Sequence, residues 1–173
     1  MSQDVGAMRF PDTPWMGRTF QLFKKLNVPL LEYKMKTGFT FMNFNDKLFQ
    51  RSAVANDPLP KDDVFGVNSF VPNSNLLPNY SEPVTRAMQP FRDTYVKDGF
   101  KALWEKLMKY DHLSMRGYLI EVMGFPAQLV NWLETYNTSS NSYDRAFTEA
   151  VLDTLAFDYP GFSKDKNVWR CVE

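Results

Sequence analysis

The pattern of apolar and polar positions changes character near residue 80. Before it, short β-rich runs and turn residues alternate; after it, apolar residues recur every three to four positions, as on helices. Asp12 or Thr13 can cap a first helix with Pro14 in its opening turn. Trp15, Phe20 (or Thr19), Phe23 and Leu26 follow at roughly helical spacing, and Asn27 and Pro29 end it. Residues 30–35, 39–44 and 47–51 read as strands of a small antiparallel meander, punctuated at Thr37-Gly38 and Asn45-Asp46. Residues 52–80 hold four prolines and many polar residues without sustained period, which predicts a long irregular segment.

From Glu82 the chain reads as helices. One runs from Pro83 to about Val96 and another from Phe100 to about Lys109, with Gly99 between them. In the second, Phe100, Leu103, Leu107 and Tyr110 line one face, with Trp104 and Met108 beside them. Ser114 is a good N-cap for a short helix carrying Tyr118, Leu119 and Val122, and Gly124 ends it. Pro126 opens a helix burying Leu129, Val130 and Leu133. A last helix runs from about Ser142 to Ala156 with Phe147, Val151, Leu152 and Leu155 apolar. The expected fold class is therefore α+β, mainly α: an N-terminal helix and small antiparallel sheet, then a helical bundle lobe. The expected division is residues 1–80, 81–160 and a final segment 161–173.

Composition narrows the function. Apolar residues make up 44% of the 173, enough for a sizeable core. Twenty basic and twenty acidic side chains cancel, so the electrostatic footprint of a nucleic-acid binder is missing. No apolar run approaches bilayer-crossing length, and the N-terminus has neither a basic nor an apolar leader region. Neither a membrane partner nor a signal peptide is expected in this chain. Cys171 is the only cysteine, which excludes internal disulfides and CxxC sites.

Catalytic constellations are scarce. His112 is the single histidine, placed in a turn between helices where a solvated or capping role is the ordinary one. No Gly-x-Ser-x-Gly, Walker A, HExxH or dinucleotide GxGxxG pattern occurs, and no metal site is expected. Arg9 stands apart. Gly6 and Ala7 before it allow a ligand close to the backbone, and a guanidinium forks two parallel hydrogen bonds to a carboxylate. On local physics alone, an exposed idle arginine remains the commoner alternative.

The segment Asp4-Val5-Gly6-Ala7-Met8-Arg9-Phe10-Pro11 resembles the flavin-proximal Gly-[Ala/Pro]-Met-Arg-[Leu/Phe/Val]-Pro motif of FAD-dependent L-amino-acid oxidases. MGRTFQLFKKLNVPL followed by FTFMNFNDKLF is similar to the start of that family's substrate-binding domain. KYDHLSMRGYLIEVMGFPAQLVNWLETYN resembles its helical domain, and residues 167–173 resemble the return toward the flavin domain. The resemblance spans essentially the whole chain, least securely at residues 52–80, and is nearest to the fungal or bacterial type.

What the resemblance implies is specific. Arg9 would anchor the substrate α-carboxylate, and Gly6, Ala7, Met8 and Arg9 would lie beside FAD. The reaction is hydride transfer from the α-carbon of an L-amino acid to flavin, giving an imino acid that hydrolyses, with oxygen reduced to peroxide. Some members place a histidine near the end of the last helical-domain helix. Here that stretch reads Leu155-Ala156-Phe157-Asp158-Tyr159, so Phe157 or Tyr159 would shape the pocket wall instead. The glycine fingerprint that binds the ADP half of FAD precedes the motif in the family and does not occur in this chain. The expectation is a substrate-binding and helical portion that binds no FAD alone and needs the remaining flavin-domain polypeptide as partner. The alternative is an autonomous non-catalytic protein that keeps the lobe's fold and uses exposed aromatics for interaction, as a homo-oligomer for example.

Overall fold

A computed structural model describes residues 9–34, 41–44, 46–50, 82–136, 141–162 and 167–171. The fold is mainly α with small antiparallel sheets, as the sequence predicts. The chain divides into two compact units, residues 1–37 with 152–173, and residues 38–151.

In the first unit, β1 (Phe10–Pro11) leads through a 3-10 turn, Pro14–Met16, into α1 (Gly17–Lys25). Thr13 holds the N-cap position with extended backbone, and its carbonyl accepts from Met16 N–H at 2.9 Å. Its side chain does not cap, contrary to the expectation for Thr13. The Thr13 hydroxyl is buried and has no hydrogen-bond partner among the described residues. α1 ends as its sequence requires. Asn27 takes the left-handed conformation at φ 53°, and Val28 N–H reaches back to Phe23 carbonyl at 2.9 Å.

β2 (Leu30–Glu32) then departs from the expected meander. It pairs antiparallel with β5 (Val168–Cys171), which also pairs with β1, so the sheet order is β1-β5-β2. The register sets Phe10 opposite Trp169 and Leu31 opposite Arg170. Pro11 has no N–H to donate and sits in an edge strand, where none is needed. The C-terminal run is thus the middle of the sheet, and Val168 is fully buried.

The second unit includes the hairpin β3 (Phe41–Phe44) and β4 (Lys47–Gln50), with Asp46 left-handed in the turn. Phe39, Thr40 and the turn at Thr37-Gly38 lie outside the described residues. α2 (Glu82–Leu107) is two helical segments broken at Gly99. With φ 81° and ψ −176°, Gly99 occupies a region of backbone space that essentially only glycine enters. Pro90 lies inside the first segment. Lys106 reaches back across the break, donating to Pro90 carbonyl at 2.7 Å and Thr94 Oγ1 at 3.0 Å, with its ammonium over the Phe91 ring. Leu103 and Leu107 are buried as expected, but Phe100 is 48% exposed and stacks on Trp104, itself 41% exposed. The break at Gly99 makes Phe100 the first residue of a new segment, outside the buried stripe.

A 3-10 turn, Met108–Tyr110, precedes α3 (Met115–Gly117), where Ser114 caps by accepting from Gly117 N–H at 3.0 Å. α3 continues as a wider π-helical turn, Tyr118–Val122, and stops at left-handed Gly124. α4 (Ala127–Tyr136) buries Val130 and Leu133 completely, and a 3-10 turn (Ser142–Asp144) follows. α5 (Phe147–Phe157) begins later than expected, because Arg145 is extended at ψ 161° and Ala146 bridges to Ser114.

The core of this unit gathers four aromatics. Phe147 stacks on Tyr118 with centroids 3.7 Å apart, and Phe91 and Tyr110 meet both edge-on. Burial, and secondarily the neighbouring Tyr110, push the Tyr118 phenol above its ordinary range. The unfolded chain therefore loses this proton at lower pH than the folded one. Stability from this source is complete below about pH 10 and declines as pH climbs toward the folded value. Tyr118→Phe is expected to flatten the alkaline decline in melting temperature. An unchanged slope in melting curves from about pH 9 to 11 contradicts this.

Candidate functional site

The candidate site lies in the first unit, where β1 begins and α5 ends. Arg9 directly precedes β1, so the ladder to β5 and Asp12 N–H donating to Asn167 carbonyl at 2.8 Å hold its neighbouring backbone. The Phe10 ring meets the Phe23 ring edge-on at 4.8 Å, tying β1 to α1. Arg9 itself is exposed.

Phe157 arrives from the other end of the chain as the last residue of α5. Asp158 N–H still bonds to Thr154 carbonyl at 2.7 Å, so the helical path extends just past it. Tyr159-Pro160-Gly161-Phe162 then reverses direction, with Phe162 N–H donating to Tyr159 carbonyl at 2.9 Å and Gly161 at φ 80°. Proline second and positive-φ glycine third are what a type II turn demands.

These two ends meet. The Arg9 guanidinium carbon stands 5.9 Å from the Phe157 ring centroid. Of the residues expected to form the site, the structure therefore brings Arg9 and Phe157 together. Tyr159 is half-buried two residues on, in the turn. Gly6, Ala7 and Met8 lie outside the described residues.

Arg9 differs from Arg116 and Arg145. Arg116 is engaged by Asp144, Asn131 and Glu134, and Arg145 pairs with Glu149. Among the described residues Arg9 forms no ion pair. An aromatic face attracts a cation without taking up its N–H groups in a fork. The arrangement can hold a carboxylate. His112 is exposed in the other unit, and among the described residues no group of three His, Cys, Asp or Glu could hold a metal ion.

The sequence named Arg9 and Phe157 separately but gave no signal of their contact. Arg116 was missed, because its partners lie on two other elements and share no motif.

No family profile matches the chain. Relatives do. It is 30% identical over 184 residues to a Dictyostelium discoideum protein named "Putative bifunctional amine oxidase", covering 98% of this chain and 16% of that protein. It is 29% identical over 196 residues to L-amino-acid oxidase 4 of Hebeloma cylindrosporum, covering 98% of this chain and 30% of that one. A cytotoxic L-amino-acid oxidase of Amanita phalloides is 24% identical over 147 residues, 69% of this chain and 99% of its own. The chain thus spans under a third of the first two relatives' length. Among the described residues no helix is long and apolar enough to cross a membrane. On this identity and coverage, the chain belongs to the amine oxidase family that includes the L-amino-acid oxidases.

Proposed function

We propose that this chain is the substrate-binding and helical portion of a FAD-dependent L-amino-acid oxidase, with Arg9 as the anchor for the substrate's α-carboxylate. The observation that carries the reading is the Arg9 guanidinium, which lies over the Phe157 ring and forms no ion pair among the described residues. Residues 1–80 would form part of the substrate-binding lobe, 81–160 the helical domain, and 161–173 the return toward a flavin domain. Phe157 and Tyr159 would wall the substrate side chain, and Gly6, Ala7 and Met8 would face the cofactor. FAD, when bound, supplies the hydride acceptor. What this chain contributes is orientation: a carboxylate fixed by two parallel N–H···O bonds leaves the α-carbon in one place. The chain alone is expected to be inactive and to need the remaining flavin-domain polypeptide.

The test is binding of L-phenylalanine against 2-phenylethylamine, its analogue without the carboxylate. The amino acid is expected to bind more tightly, and Arg9→Gln to weaken it roughly 10- to 100-fold while leaving the amine unaffected. Arg9→Lys, a point charge without the fork, should fall between. Equal affinity for the two compounds, or an Arg9→Gln variant that binds normally, removes the anchor. Activity is tested by adding a flavin-domain polypeptide in trans, when amino-acid-dependent peroxide is the expected result and its absence the contrary one.

A further inference from the structure

We propose that Phe157 is a positioning residue for Arg9, holding the guanidinium over its ring so that all of the N–H groups stay available to a ligand carboxylate. The inference rests on the reading of Arg9 as the carboxylate anchor, and it assigns Phe157 a role beyond walling the substrate.

Both backbones are fixed independently of any ligand. The residue after Arg9 is held in register opposite Trp169, and its ring is braced against Phe23. Phe157 ends a helix that is closed off by a tight turn at Pro160-Gly161. The long Arg9 side chain spans what is left between them. It is exposed, and an exposed arginine samples many rotamers, each of which dilutes the binding-competent one. A ring 5.9 Å from the guanidinium carbon narrows that set through attraction between the cation and the ring's negative face. A carboxylate at position 157 would restrain Arg9 more strongly, but it would occupy the donors and cancel the charge. Phenylalanine restrains it and leaves both.

The experiment uses NMR of the isotopically labelled chain, with the Arg9 side-chain resonances identified by their loss in Arg9→Lys. Without ligand, ring current from Phe157 should shift the Arg9 side-chain protons upfield, and Phe157→Leu should return them to the unstructured position. Phe157→Tyr, which keeps the ring, should leave them shifted. In a titration with L-phenylalanine, Phe157→Leu should bind about two- to fivefold more weakly than the wild type, and Phe157→Tyr should match it. A Phe157→Leu variant with unmoved Arg9 resonances, or with undiminished affinity, overturns the proposal. Should Phe157→Leu fail to fold, wild type and Phe157→Tyr still decide it, since unshifted Arg9 resonances in both are equally fatal. Lack of L-phenylalanine binding by the wild type, or normal binding by Arg9→Gln, defeats the anchor reading. The ligand-free resonances would still show whether Phe157 holds the guanidinium.

Discussion

Phe147→Ala is expected to lower the unfolding free energy by about 3–5 kcal/mol. Phe147 is wholly buried where four elements converge, stacked on Tyr118 and met edge-on by Phe91 and Tyr110. Removing the ring deletes its transfer free energy and leaves a cavity lined by three other rings, which are too rigid to collapse into it. Its position compounds the loss. Phe147 opens α5, and its N–H donates to Leu113 carbonyl at 2.9 Å, so the ring and the backbone fix the same junction. In a chain of this size the melting temperature should drop by roughly 10 °C or more. Phe147→Leu keeps most of the volume and should cost only about 1–2 kcal/mol. Two denaturation midpoints that do not differ would mean that the cluster is not what holds this unit together.

Arg116→Ala should cost about 2–3 kcal/mol, which is large for a side chain that is not fully buried. Nε donates to Asp144 at 2.7 Å, and the two terminal nitrogens donate to Asn131 and Glu134. Glu134 in turn accepts from Tyr143 N–H at 3.0 Å. One planar group thus ties α3, α4 and the 3-10 turn at Ser142–Asp144 together. The hydrogen bond to Asp144 is the main influence holding the guanidinium above its usual range; partial burial opposes it and Glu134 adds to it. The energy is unevenly distributed. Glu134 is 13% exposed and would lose the one cation it pairs with among the described residues, whereas Asp144 is 60% exposed and stays solvated. Asp144→Ala should therefore cost under about 1 kcal/mol. Arg116→Lys should rescue little, because an ammonium cannot reach three acceptors in one plane. A double-mutant cycle between positions 116 and 134 measures the coupling. A value near zero would show the network to be decorative.

Some of this architecture is written in short stretches of sequence, and those stretches share a physical trait. Asn27 and Gly124 end helices because the backbone there turns left-handed, which these residues tolerate at least cost. Gly99 divides α2 because no side chain fits its φ and ψ, and Ser114 starts α3 through a bond spanning three residues. Each of these depends only on neighbours within one turn of chain. The opening Gly-Ala-Met-Arg stretch is a local signal too, and its resemblance to the oxidase motif is what makes Arg9 the proposed carboxylate anchor.

Tertiary structure alone decided the rest. Leu30–Glu32 reads as one strand of a local meander, yet its partner is Val168–Cys171 at the far end of the chain. Strand edges carry the same N–H and C=O groups everywhere, so the pattern shows that a strand exists but not which edge it will meet. Phe100 looked like core until the turn of the backbone at Gly99 set it on the surface. Arg116 found its partners only once three elements had packed. By itself the sequence determined most of the helices and their stops, and through its resemblance to the oxidase motif it singled out Arg9. The fold placed that arginine beside Phe157, because a contact between opposite ends of a chain is a product of packing and leaves no local trace.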